Sequence, residues 1–201
     1  MDSQLRAKPA VFLDRDGVLC KEKGYVTSQK ELEIFDYTRS CIEKIKEKGY
    51  YTIVITNQSG VARGLFTEET LMEMNEYLKK EIDVDAVYYC PHHPQGKIEK
   101  YVKDCICRKP GIELLQRAVE HYNIDMEHSY MVGDRASDIQ TGQNAGIKTI
   151  LLESGYGTER LEVEVKPEYI WILMRLSDIH RRNRRAPGRG SARDLGRIST
   201  V

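Results

Sequence analysis

Asp14 and Asp16 stand two residues apart in the run Asp14-Arg15-Asp16-Gly17. Two carboxylates crowded into one turn repel each other unless a divalent cation offsets their charge. Magnesium suits such a site, because it favours oxygen ligands and bridges to phosphate. One carboxylate could then attack phosphorus, while the other protonates a leaving alcohol and later activates water. Asp-x-Asp alone is equally a capped turn between a strand and a helix. Three further blocks narrow the choice. Thr56 offers a hydroxyl, and Asn57, Ser59 and Gly60 after it supply amides and tight backbone turns for an anion. Lys109, in Arg108-Lys109-Pro110, is a fixed cation for phosphoryl oxygens, where charge must be stabilised during transfer. Asp134 completes an oxygen shell for the cation, and Asp138 lies one helical turn further on, able to orient a metal-bound water or Lys109.

A different set of ligands interrupts this series. Cys90-Pro91-His92 and Cys105-Ile106-Cys107 lie just ahead of Arg108. Three thiolates and an imidazole, from Cys90, His92, Cys105 and Cys107, match a closed tetrahedral zinc site with no open position for a substrate. Such a clamp would organise residues 90–107, which are poor in core-forming side chains, and brace Arg108 and Lys109. The plainer reading is buried, unpaired cysteines beside an ordinary histidine. His93 is the less natural ligand, since Pro94 follows it and the paired spacing favours His92.

The elements that must position these groups are short and regular. Ala10–Leu13, Tyr51–Ile55, Asp85–Tyr89, Tyr130–Gly133 and Lys148–Leu152 are apolar runs that suit buried parallel strands. Between them lie amphipathic stretches: Tyr37–Lys48, ending at Gly49; a helix capped by Thr67 and running to about Lys80; one carrying Leu114, Leu115, Ala118 and Val119; and a short one through Ile139 and Ala145. This alternation predicts an α/β fold, a doubly wound, mostly parallel Rossmann-like sheet with helices on both faces. In such sheets the ligand crevice lies beyond the carboxyl ends of the strands, where the polar blocks fall. Turn chemistry alone would also place Asp and Gly at strand ends. Pro167–Leu176 is expected to form a last helix, packing through Ile170, Ile172, Leu173 and Leu176.

A chain of 201 residues can bury one core, and a single domain over residues 8–180 is expected. Its 31 basic and 31 acidic residues balance, but unevenly. Seven arginines and one aspartate lie from Arg181 onward, leaving 24 basic and 30 acidic residues before it, a net of −6. The body is therefore mildly acidic and offers no basic face for nucleic acid. Residues 181–201 have almost nothing to bury and are expected to be a basic, flexible tail. Five cysteines, three of them within eighteen positions beside a histidine, fit metal ligation in a reducing compartment better than a disulfide framework. The opening Met1-Asp2-Ser3-Gln4 lacks a signal-peptide layout, and no apolar run is long enough to span a membrane. A cytoplasmic monomer is expected.

The order Asp-x-Asp-Gly, strand-ending Thr, Lys, then Gly-Asp with a later Asp resembles the haloacid dehalogenase superfamily of phosphotransferases. That resemblance implies that Asp14 is the nucleophile and becomes an aspartyl-phosphate, and that Asp16 is the general acid and then the base. It implies that Thr56 holds the phosphoryl group, Lys109 neutralises it, and magnesium is ligated by Asp14, the backbone carbonyl of Asp16, and Asp134. Asp138 is implied as a further ligand or a supporting residue. Within the superfamily, Asp14-Arg15-Asp16-Gly17-Val18, Thr56 through Gly64, Cys90-Pro91-His92-His93-Pro94, Cys105-x-Cys107-Arg108-Lys109-Pro110 and Val132-Gly133-Asp134-Arg135 are similar to the bacterial D-glycero-D-manno-heptose 1,7-bisphosphate 7-phosphatases. The similarity covers residues 8–152, zinc cluster included. It implies a capless, magnesium-dependent enzyme acting on a phosphorylated heptose in lipopolysaccharide biosynthesis, with Arg63 and Arg108 on the sugar or its second phosphate. Guanidinium groups suit that task through two-pronged contacts. Histidinol-phosphate phosphatases share both the catalytic blocks and a comparable zinc cluster, and another small phosphate ester is the broader alternative. A noncatalytic zinc or nucleic-acid module would instead bind nucleic acid in a salt-sensitive way and release no phosphate.

Overall fold

Strand β1, Lys8–Leu13, alternates its side chains between two apolar layers, as the twofold period of a strand requires. Val11 and Leu13 join one buried cluster, while Ala10 and Phe12 join the other. A strand buried on both faces must be covered on both, and the computed structural model shows how. It describes residues 7–152 together with the backbone of 169–171. Helices α1 (Thr38–Glu47) and α2 (Glu68–Ile82) bring Ile42, Ile45, Leu71, Met74 and Leu78 to the layer of Val11 and Leu13. Helix α3 (Glu113–His121) brings Leu114, Leu115 and Ala118 to the opposite layer.

The remaining strands are β2 (Tyr51–Asn57), β3 (Ala86–Cys90), β4 (Ile124–Gly133), β5 (Lys148–Leu152) and β6 (Tyr169–Trp171), with helix α4 (Ala136–Asn144) between β4 and β5. The sheet order is β3-β2-β1-β4-β5-β6, and every neighbouring pair is parallel. The chain therefore builds outward from β1 in one direction, returns, and builds outward again from β4. The two halves diverge between β1 and β4, which opens a crevice above their carboxyl ends. The doubly wound parallel sheet expected from the sequence is the fold observed.

Two elements differ from expectation. Strand β4 starts at Ile124, six residues before the apolar run. Its register against β1 shifts between Pro9 and Val11, and Ser129 Oγ accepts the Ala10 N–H at 2.9 Å. A polar bulge thus replaces a rung of the ladder, which is why the segment lacks an apolar signature. Tyr169–Trp171 forms a strand beside β5, not part of the expected helix Pro167–Leu176. Aromatic and β-branched residues in that triplet suit an edge strand. The rest of that expected helix, the domain limit near residue 180 and the basic tail 181–201 lie outside the described residues. Thr67 caps α2 as expected, its side chain accepting from Thr70 N. Among the described residues no helix is long and apolar enough to cross a membrane.

Candidate active site

The crevice between β1 and β4 receives the acidic blocks because each strand ends where its acid begins. Asp14 follows β1, and its N–H extends the ladder to Val132 O at 2.9 Å. The chain then turns tightly, with Leu19 N and Cys20 N both donating to Arg15 O. Gly17 sits in this turn at φ +82°, and a Cβ there would lie 2.2 Å from Asp134 Oδ2. Only glycine lets the first acidic loop close over the aspartate that follows β4. Gly133 does the same for the next acid: a Cβ there would strike Asp138 within 2.1 Å.

Lys109 reaches this crevice from the loop before α3, buried to 4% exposure. Its Nζ lies 2.7 Å from Asp14 Oδ1 and 2.5 Å from Asp138 Oδ1. Asp138 Oδ2 accepts from Arg135 N at 3.0 Å, closing a capping box on α4. Both Asp138 oxygens are thus engaged, one by the catalytic-block lysine and one by the helix start. Asn57 holds the lysine's backbone from both sides, its Oδ1 accepting from Lys109 N at 3.0 Å and its Nδ2 donating to Lys109 O at 3.2 Å. One N–H and one lone pair of its amide thus brace the lysine.

Burial and neighbouring acids govern the charges. Desolvation, and then Asp138, Asp16 and Asp134, push the Asp14 carboxyl up to about 7, with Lys109 opposing. Burial works against the Lys109 ammonium, but Asp138 and Asp14 outweigh it and raise its pKa. Asp16 goes the other way. Burial would raise it, yet Arg15 and hydrogen bonds from Arg15 and Gln58 hold it below the usual carboxylate range. Carboxylate oxygens of Asp14, Asp134 and Asp138 lie within 4.8 Å of one another, all buried. Three buried acids facing one ammonium leave negative charge for a hard divalent cation to balance, so the donor set fits magnesium.

A cavity of about 310 Å³ opens over this centre. Asp14, Asp16, Thr56, Asn57, Ser59, Arg108, Lys109 and Asp138 all line it. Arg63 does not line it. Its Nη2 lies 3.3 Å from His93 Nε2, and its guanidinium carbon lies 6.0 Å from the ring centre of Tyr25, which forms part of the cavity wall. Arg63 thus sits beside a residue of the wall. Arg108 lines the cavity and directs Nη1 toward His92 O at 3.5 Å.

The cysteine cluster converges as a unit. Cys90, Cys105 and Cys107 place their sulfurs 2.9 to 3.4 Å apart, and His92 Nδ1 lies 3.3 Å from Cys107 Sγ. All three are free thiols. Contact with Cys90, then burial, drives the Cys107 thiol up, a tendency that a bound soft cation reverses. Three thiols and an imidazole around one point fit zinc. Glu68, in the first turn of α2, ties this loop down by accepting from Tyr101 Oη at 2.6 Å and Tyr89 Oη at 3.2 Å.

Several residues at the site carried no signal of their own in the sequence. Gln58 bridges Asp16 and Thr56. Glu22 accepts from Gly24 N at 2.6 Å and pairs with Arg135 at 2.9 Å, linking the loop after β1 to the start of α4. Arg15, flanked by the two acids, is 1% exposed and pairs with Asp16 at 3.0 Å.

An acid-and-lysine centre at the switch point of a doubly wound sheet defines a class. The HAD-hydrolase-like family model matches residues 106–178. Among solved structures, the D,D-heptose 1,7-bisphosphate phosphatase from B. bronchiseptica, complexed with magnesium and phosphate, superposes with a TM-score of 0.76 at 26% identity, covering 87% of this chain and 99% of that one. A HAD-like phosphatase structure from Mesorhizobium loti gives 0.70 at 27% identity, over 86% of this chain and 84% of that one. Similarity to curated proteins is higher. The D-glycero-beta-D-manno-heptose-1,7-bisphosphate 7-phosphatase of Salmonella typhi is 40% identical over 180 residues, 87% of this chain and 94% of the relative. That of Pasteurella multocida is 37% identical over 178 residues, 86% and 95%. The chain belongs to this family of haloacid dehalogenase-like phosphatases, and it is a phosphoric monoester hydrolase.

Proposed function

We propose that this chain removes the 7-phosphate of D-glycero-beta-D-manno-heptose 1,7-bisphosphate through an aspartyl-phosphate on Asp14, with Mg²⁺ in the acidic centre and Zn²⁺ in the cysteine cluster. The observation that carries the chemistry is the meeting of Asp14, Asp134, Asp138 and Lys109 at the β1/β4 crevice. The substrate follows from the names of the relatives that match over most of their length.

In this reading Asp16, which Arg15 and Gln58 keep ionised in the free enzyme, takes up a proton as the substrate binds. Asp14 attacks phosphorus, the bond from phosphorus to the sugar oxygen breaks, and Asp16 gives that oxygen its proton. Asp16 then takes a proton from water, whose oxygen attacks phosphorus and breaks the bond to Asp14, releasing inorganic phosphate. Thr56 and the Lys109 ammonium hold the phosphoryl oxygens as charge builds on them. A magnesium ion held by the carboxylates of Asp14 and Asp134 and the backbone carbonyl of Asp16 would offset the charge of nucleophile and phosphate, which otherwise repel. Asp138 serves by fixing Lys109. Asn57, Ser59 and Arg108 on the cavity wall are suited to the remainder of the substrate, and Asn57 also braces Lys109. Arg63, beside Tyr25 of the wall, is a further candidate for the sugar or its second phosphate. Zinc ligation by Cys90, His92, Cys105 and Cys107 would fix the loop that ends in Arg108 and Lys109. Five free thiols among the described residues agree with a reducing compartment, and a cytoplasmic monomer is part of the proposal.

Steady-state phosphate release tests this directly. Heptose 1,7-bisphosphate, histidinol phosphate and a panel of other sugar phosphates are compared with and without Mg²⁺. The expected result is magnesium-dependent release with the highest kcat/KM on the heptose bisphosphate. A higher kcat/KM on histidinol phosphate or another ester would overturn the substrate, and undiminished activity in chelator would overturn the metal.

A further inference from the structure

We infer that Gln58 is a positioning residue, one that aims the Asp16 carboxyl at the leaving oxygen with Thr56 as its anchor. The inference rests on the phosphatase reading above. Gln58 is 5% exposed and forms part of the cavity wall. Its Nε2 lies 2.8 Å from Asp16 Oδ2 and 2.9 Å from Thr56 Oγ1, which uses both hydrogens of the amide and fixes its orientation. Its own backbone is tied down as well, with Gln58 N donating to Cys90 O at 2.8 Å. The side chain therefore has little freedom at either end.

Asp16 needs such a tether because a strong competitor lies beside it. Arg15 Nε and Nη2 contact both Asp16 oxygens at 3.0 to 3.2 Å, and the guanidinium is itself held by Asn75 Oδ1 of α2 at 3.3 Å. Arg15 is 1% exposed and, like Asp16, borders the cavity. Left to Arg15 alone, the carboxylate would follow the charge-assisted pair, which is stronger than a neutral hydrogen bond. The Gln58 amide is an opposing contact, and it spans from the acid to the hydroxyl that would hold the phosphoryl group. Because Thr56 Oγ1 accepts from Gln58, its own hydrogen remains for a phosphoryl oxygen. One side chain thus sets the separation between the group that grips phosphate and the group that serves the leaving atom.

A positioning role of this kind depends on the leaving group. The test compares wild type with Gln58→Met, which keeps length and removes the amide, and with Gln58→Glu, which sets a second carboxylate against Asp16. Two probes are used: heptose 1,7-bisphosphate, whose sugar alkoxide must be protonated, and p-nitrophenyl phosphate, whose phenolate leaves without a proton. The readout is kcat/KM, which reports formation of the phosphoenzyme. For Gln58→Met the expected fall is about 30-fold on the heptose ester and under about threefold on the aryl ester, the range for losing one hydrogen bond to a charged group. Gln58→Glu is expected to fall further on the heptose ester. A selectivity between the two probes of less than about tenfold, whether both fall together or neither falls, would overturn the inference. Circular dichroism and thermal unfolding establish that each variant is folded, and Gln58→Glu serves alone if Gln58→Met does not fold. Failure of the wild-type protein to hydrolyse either ester would defeat the phosphatase reading itself, a result separate from any variant ratio.

Discussion

Replacing Lys109 by methionine removes one cation from between two buried acids, and the consequence can be worked through. The Lys109 Nζ lies within 2.7 Å of Asp14 and Asp138, with a side chain only 2% exposed. Breaking a buried ion pair by deleting one partner costs about 3–5 kcal/mol, because the remaining charge is stranded. Asp14 offers partial relief by taking up a proton. Its carboxyl is already pushed to about 7 from an ordinary 3.8, so the native state holds a proton that the unfolded chain has lost. The unfolded state binds fewer protons between pH about 4 and about 7, so this group lowers stability as pH rises through that window. Without the ammonium that opposes the shift, Asp14 in Lys109→Met rises further, and the decline extends above pH 7. The variant should therefore lose about 3 kcal/mol at both pH values through the stranded acids, and the gap should widen by about 1 kcal/mol between pH about 5 and about 8 as Asp14 titrates in wild type but not in the variant. Urea unfolding in chelator at the two pH values measures it. Mg²⁺ at the higher pH should then stabilise the variant more than wild type, since the added cation meets a more negative site. An equal gap at both pH values, or a loss below about 1 kcal/mol at the higher one, would refute the reasoning.

Further outcomes follow from other contacts. Asn57→Leu frees the Lys109 backbone on both sides and is expected to lower kcat by about tenfold or more while destabilising by about 1–3 kcal/mol; unchanged kinetics would show that the lysine needs no brace. Cys107→Ala should abolish bound zinc and lower the thermal midpoint, as read by metal analysis and calorimetry, and full zinc occupancy in the variant would reject the clamp. Glu68→Ala removes the acceptor for Tyr101 and Tyr89 and should cost about 1–3 kcal/mol, detected as faster hydrogen exchange over residues 90–107; exchange identical to wild type would deny that Glu68 secures the loop.

How far the sequence reaches depends on whether a residue's surroundings are local. The apolar runs at Ala10–Leu13, Tyr51–Ile55 and Lys148–Leu152 carry their own signal, because a central parallel strand is buried on both faces. Asp14, Thr56 and Asp134 were legible for the same reason, each marking the place where such a run stops. The first half of β4 was not, since Asp125 to Ser129 is polar apart from Met126 and its pairing depends on a hydroxyl filling a broken rung. Tyr169–Trp171 misled because Ile170, Ile172, Leu173 and Leu176 recur at helical spacing, while the backbone of the triplet adds to the edge of β5. Gln58 reads as a turn residue until the loops after β1 and β2 are brought together. Asn57 and Arg63 make the same point: their contacts with Lys109 and His93 join segments far apart in the chain, and nothing in the local sequence announces them. Contacts across loops leave no periodicity to read.

The account stands on Asp14 as the atom that takes the phosphoryl group. Rapid acid quench of the enzyme during turnover with heptose 1,7-bisphosphate and Mg²⁺, followed by peptide mass spectrometry, measures this directly. One phosphoryl group is expected on the peptide carrying Asp14, absent in Asp14→Asn and accumulating when Asp16→Asn slows its hydrolysis. A phosphoryl group on another residue, or normal phosphoenzyme in Asp14→Asn, would contradict the account.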